Sequence, residues 1–269
     1  MDIRKSCAFF LLLIMFFSGC AAPGEYGPVK TDPAISPMPP ASVSPANSPA
    51  ANMSSPSVTP EVIAPAMAVE PEKFGSVDGF FYMELNDEMK ERIAGVSYPA
   101  DDSKAKIHYD DLRYIGLLYY DFEGNVKTGE LIVHKKLADE MMEIFCELYR
   151  CKYPFTSVRL VDDFDADDKR STEANNTSSF NYRTVSGSKK LSLHSYGMAI
   201  DINPKLNPYV KKGAVSPKNG APYADRSKDF PGKIDRDDLV YKLFTKHGWE
   251  WGGNWKTVKD YQHFEKDVR

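Results

Sequence analysis

The chain has 269 residues, of which 42% are hydrophobic and 27% charged, with 34 lysines and arginines against 38 aspartates and glutamates. Such a chain can bury a sizeable core and has the composition of an ordinary soluble protein. Its formal charge of −4 lacks the basic excess that nucleic-acid binding requires, so no nucleic-acid partner is expected.

The chain begins with MDIRK, carrying two cations, then the apolar run CAFFLLLIMFF, then SGC. An apolar run this short predicts a signal peptide over residues 1–19 rather than a bilayer-spanning helix. Phe17-Ser18-Gly19-Cys20 resembles the lipobox of bacterial lipoproteins, with Phe17 where leucine is usual. On that reading Cys20 becomes the mature N-terminus and carries lipid, anchoring an exported protein to a bacterial membrane so that it faces the cell wall. Ordinary secretion with cleavage near Ala21 or Ala22 is the alternative.

Residues 20–73 are rich in Pro, Ala and Ser, and twelve of the nineteen prolines fall between Pro23 and Pro71. Such a segment cannot bury enough apolar surface to fold and predicts a disordered linker. As a flexible coil it spans on the order of 40 Å, enough to let a folded domain work away from its membrane.

The remaining residues, 74–269, read as a single α+β domain without repeats, with a small antiparallel sheet and flanking helices. RYIGLLYYDF (113–122) and the strand pattern 126–133 flank a Glu-Gly-Asn turn and predict a β-hairpin. Leu137, Ala138, Met141, Ile144, Phe145 and Leu148 have the spacing of an amphipathic helix over 135–149. Short strands are expected at 157–161, before the acidic run DDFDADD, and at 198–202. Asp235 is placed to cap a helix running to about His247. Cys146 and Cys151 sit five apart near the end of the first helix; intact helix holds them on different faces, so a disulfide and two free thiols both stay open.

Of five histidines, three have bland surroundings: His108 in a polar loop, His134 opening a helix, and His247 closing one where a cation suits the helix dipole. The other two lie near carboxylates, His194 with Asp201 in SLHSYGMAID and His263 with Asp260 in KDYQHFEK. A catalytic zinc takes three imidazole or carboxylate ligands and keeps a fourth position open. His194, Asp201 and His263 would supply that set, one zinc per chain. Gly197 allows a tight bend after His194, and Asp201 intrudes into an apolar strand where a lone carboxylate is expensive to bury. An ion pair or a cap made by Asp201, with His194 incidental, is the structural alternative. Asp260 can stand beside such a metal as general base and acid; a surface aspartate in a turn is its alternative.

Ser192, His194, Gly197, Ala199 and Asp201 in SxHxxGxAxD, followed by an acidic residue three before a histidine, resemble the VanY-type D-alanyl-D-alanine carboxypeptidase family of zinc peptidases. GELIVHKKLADEMMEIFCELY, ANNTSSFNYR, AIDINP and WGGNWKTVKDYQHFE carry the resemblance across most of the expected domain. It implies a compact α+β zinc peptidase acting on peptidoglycan peptides, with His194, Asp201 and His263 as zinc ligands and Asp260 as the catalytic acidic residue. It also implies an arginine that grips a substrate carboxylate or polarises the carbonyl. Arg183 is the first candidate and Arg159 the second; pairing with the acidic run is the structural alternative for Arg183. Ser192 and Tyr196 would orient the first ligand or line the substrate cleft. Trp249, Trp251 and Trp255 are expected to pack beneath the site. D-Ala-D-Ala carboxypeptidase activity is favoured, with L-Ala-D-residue endopeptidase cleavage beside it and a catalytically idle wall-binding lipoprotein as the alternative from another class. A monomer is expected.

Overall fold

The computed structural model describes residues 72–73 and 78–269. The signal peptide, Cys20 and all but the last two residues of the expected linker lie outside the described residues. In chain order the elements are β1 (Glu72–Lys73), β2 (Phe81–Glu84), α1 (Asp87–Ile93), β3 (Leu112–Tyr120), β4 (Val126–His134), α2 (Ala138–Arg150), β5 (Ser157–Val158), α3 (Asp168–Glu173) and β6 (Asn176–Thr177). They continue with β7 (Ala199–Asp201), β8 (Tyr209–Lys211), β9 (Ala214–Ser216), α4 (Leu239–Lys246), β10 (Glu250–Trp251), β11 (Lys259–Asp260) and β12 (His263–Glu265). Among the described residues no helix is long and apolar enough to cross a membrane.

The α+β expectation holds, but the single small sheet resolves into four: β1-β2-β3-β4, β10-β12-β7, β11-β8-β9 and the parallel pair β5-β6. The predicted hairpin is β3–β4, paired from Leu112–His134 to Tyr120–Val126. Turn chemistry explains its tip, where Asp121 accepts hydrogen bonds from Asn125 N at 2.7 Å and Glu123 N at 3.1 Å. The amphipathic helix α2 turns Met141, Ile144, Phe145 and Leu148 onto this sheet, all at 0–1% exposure. A continuous core then joins α2 to Met198, Ile200, Val240, Phe244, Trp249, Trp251 and Phe264.

Two local expectations change, and one open alternative is decided. The strand expected at 157–161 stops at Val158, because Val161–Phe164 of the acidic stretch forms a 3₁₀ turn. The C-terminal helix is capped by Asp238, whose carboxylate accepts from Val240 N at 2.8 Å. Asp235 instead closes the preceding turn by accepting from Asp237 N at 2.9 Å; either aspartate could have capped, and the turn geometry decides. Cys146 and Cys151 are both free thiols, one buried and one exposed.

Candidate metal centre

In the β10-β12-β7 sheet, β12 runs antiparallel to β7 with His263 opposite Asp201, Phe264 opposite Ile200 and Glu265 opposite Ala199. Side chains alternate faces along a strand, so Ile200 and Phe264 enter the core together while Asp201 and His263 emerge side by side on the other face. Phe264 is fully buried and stacks 4.6 Å from Phe244. Burying a ring of this size contributes about 1.5–3 kcal/mol and fixes the register that pairs the two polar residues.

His194 arrives from a 3₁₀ turn, Leu193–Tyr196, which Ser192 opens by accepting from His194 N at 3.3 Å. Gly197 ends the turn at φ +65°. The turn lies against the end of β4, where His134 N donates to Gly197 O at 2.9 Å. The SSF part of ANNTSSFNYR holds the other side: Ser178 pairs with Asp201 through backbone hydrogen bonds, and Ser179 O faces His194 Nδ1 at 2.6 Å.

The three predicted ligands converge, all buried at 4–7% exposure. His194 Nε2 lies 3.2 Å from His263 Nδ1 and 3.4 Å from Asp201 Oδ2, and His263 Nδ1 lies 3.0 Å from Asp201 Oδ1. Zinc bonds of roughly 2.0–2.1 Å at tetrahedral angles set neighbouring ligand atoms about 3.3 Å apart. The observed edges fit that spacing, and three protein ligands leave a fourth direction open. Two imidazoles and a carboxylate also make a donor set suited to zinc.

The buried groups of the cluster shift one another's proton affinities. Burial pushes the Asp201 carboxyl up, but the His194 and His263 rings beside it outweigh burial and hold it far below the usual carboxylate range. Burial pushes His263 down, yet hydrogen bonds to Asp201 and Glu265 raise it to about 10. Asp260 behaves oppositely: burial, helped by the charge of Asp201, pushes its carboxyl up to about 6 against the pull of His263, Gln262 and His194. A carboxylate near that value is ionised at neutral pH and readily protonated, which suits proton transfer. Gln262 Nε2 donates to Asp260 Oδ1 at 3.1 Å. Gly252 passes so close that a methyl group there would meet Asp260 O at 2.7 Å and its Cβ at 2.8 Å.

The remaining predicted residues fall into three groups. Ser192 is buried and its hydroxyl caps the His194 turn, while Tyr196 is half-buried under the Arg269 guanidinium, 4.6 Å from its ring. Arg183 is half-buried and paired with Asp168 at 3.0 Å. Arg159 is exposed and paired with Asp163 at 2.6 Å. Trp249 and Trp251 belong to the core as expected, but Trp255 lies 5.4 Å from the His263 ring. Sequence reading missed the Ser179 carbonyl, Gln262 and Glu265, whose carboxylate lies 2.9 Å from His263 Nε2. The alternation of His263, Phe264 and Glu265 could have signalled Glu265; nothing local marks Ser179. A cavity of about 390 Å³ lined by Phe122, Lys205, Leu206, Tyr223 and Phe230 includes no member of the cluster, so chemistry rather than concavity identifies the site.

Residues 186–266 match the family described as D-alanyl-D-alanine carboxypeptidase. The segment that matches holds His194, Asp201, His263 and Asp260, and the resemblance drawn from the motifs stands over that segment. The chain is also similar to the peptidoglycan L-alanyl-D-glutamate endopeptidase CwlK of Bacillus subtilis (strain 168), at 37% identity over 76 residues. That stretch is 28% of this chain and spans 38% of the relative's length. No solved structure matches the chain.

Proposed function

We propose that this chain is a zinc-dependent peptidase that hydrolyses peptidoglycan peptides, with removal of a terminal D-alanine as its first reading. The observation that carries the proposal is the cluster of His194, Asp201 and His263 at tetrahedral edge lengths, with Asp260 close enough to feel the charge of all three. A zinc ion held by these three residues would supply Lewis acidity that polarises a peptide carbonyl and acidifies water. Asp260 takes a proton from the attacking water and returns it to the departing amine. Gln262 holds one oxygen of Asp260, leaving the other for that exchange. The matching family's description supports a wall-peptide substrate.

Endopeptidase cleavage within the stem peptide is the second reading, and two observations favour keeping it. A carboxypeptidase needs a cation for the substrate's terminal carboxylate, and Arg183 and Arg159 are each bound to an aspartate. The similar Bacillus protein is described as an endopeptidase. The form of residues 1–20 supports an exported protein anchored through lipid on Cys20 and acting on the wall.

Digestion of purified muropeptides tests the proposal. Free D-alanine is the expected product; a cut inside the stem peptide would establish the second reading. Intact muropeptides after incubation with the zinc-loaded protein would overturn both.

A further inference from the structure

Glu265 is neither one of the three converging ligands nor the proton carrier, yet its carboxylate lies 2.9 Å from His263 Nε2. Strand geometry is the cause, since residues two apart share a face and Phe264 between them is fixed in the core. The His263 ring is therefore gripped at both nitrogens: Nδ1 faces Asp201 Oδ1 and His194 Nε2, and Nε2 faces Glu265.

A neutral imidazole carries one ring hydrogen and one lone pair, and the partner of one nitrogen decides which is which. A carboxylate at Nε2 holds the hydrogen there and leaves the lone pair on Nδ1, where the other two ligand atoms converge. Without it, Asp201 would be the carboxylate left to attract the hydrogen, which would then sit on the nitrogen that must bind. His194 has the same arrangement in backbone form, its Nδ1 lying 2.6 Å from Ser179 O while Nε2 faces the cluster. A backbone carbonyl cannot be removed by substitution, whereas Glu265 can.

We infer that Glu265 is a positioning residue of the metal centre, which fixes His263 as the Nε2–H tautomer and so presents Nδ1 to zinc. The inference rests on the proposed zinc site and is independent of which peptide bond is cleaved. Its test is the zinc dissociation constant of the parent, Glu265→Gln and Glu265→Ala, measured by competition with a chromogenic chelator, together with the imidazole ¹⁵N spectrum of the zinc-loaded parent. We expect Glu265→Ala to bind zinc about 10–100-fold more weakly. Glu265→Gln, which keeps an acceptor oxygen, should recover most of that loss, and the parent spectrum should show the His263 hydrogen on Nε2. Parent-like zinc affinity in Glu265→Ala, or a His263 hydrogen on Nδ1 in the zinc-loaded parent, overturns the inference. The parent spectrum decides alone if the alanine variant does not fold. A parent that binds no zinc sinks the peptidase reading as well; a zinc-binding, hydrolytic parent whose alanine variant keeps its affinity sinks this inference only.

Discussion

Replacing Gly197 with alanine tests how the first ligand is positioned. The residue sits at φ +65°, and an added Cβ would lie 2.5 Å from His134 N and 2.7 Å from Val133 C. Left-handed backbone costs a non-glycine residue about 1–2 kcal/mol. The overlap is with backbone, not a flexible side chain, and β4 is tied to β3 along its whole length, so β4 cannot give way. The His194 turn must move instead, at about 1–3 kcal/mol for overpacking. Moving it also weakens the 2.9 Å bond from His134 N to Gly197 O, worth about 1 kcal/mol. The total is about 3–6 kcal/mol, or a fall in Tm of roughly 10–20 °C for a folded region of this size. Gly213→Ala is the control, because Gly213 is at φ +82° with nothing within 4 Å of an added Cβ. It incurs the backbone term alone. Thermal unfolding monitored by circular dichroism reads the stability, and zinc content after dialysis reads the ligand geometry. We expect Gly197→Ala to lose several times more stability than Gly213→Ala and to lose zinc, which the control keeps. Equal losses in the two variants would refute the steric reasoning, and full zinc content in Gly197→Ala would refute the link between this bend and the ligands.

Asp260→Asn should lower wall-peptide hydrolysis by about 10²–10⁴-fold with zinc content unchanged, as measured by turnover and metal analysis of the same sample; parent-level hydrolysis would remove Asp260 from the mechanism. The parent should purify with zinc and His194→Ala and His263→Ala without it, and a chelator should lower the parent's Tm while leaving theirs unmoved. Asp238 tests the linkage between burial and pH, since burial, with help from Asp235, pushes its carboxyl up to about 6. The folded state then binds the proton more tightly than the unfolded state, so this group's contribution to stability falls as pH rises through about 4 to 6 and costs up to about 3 kcal/mol above that window. Asp238→Asn keeps a cap acceptor; it should be more stable than the parent at pH 7.5 and lose that advantage at pH 4, as read by urea denaturation.

What the sequence determined by itself is what short-range chemistry can encode. The tip residues of β3–β4, the apolar stripe of α2, the lone carboxylate of Asp201 in the apolar run 198–202 and the polar-apolar alternation of His263-Phe264-Glu265 are all readable over a few positions, because backbone periodicity dictates which residues share a face. The residue types of the cluster were likewise legible, since few side chains can ligate zinc and a carboxylate in an apolar strand needs a partner. Only the tertiary structure decided the rest. Asp201 and His263 are 62 residues apart, and it is the packing of Ile200 and Phe264 against Phe244 and Trp251 that sets them opposite each other. The same long-range packing brings the Ser179 carbonyl to His194, Asp168 to Arg183 and Asp163 to Arg159. No local pattern announces such partners, because any of several aspartates could satisfy an arginine and any carbonyl could hold an imidazole. The choice among chemically equivalent partners is made by the core, which fixes the strand register and the turns before the polar groups meet.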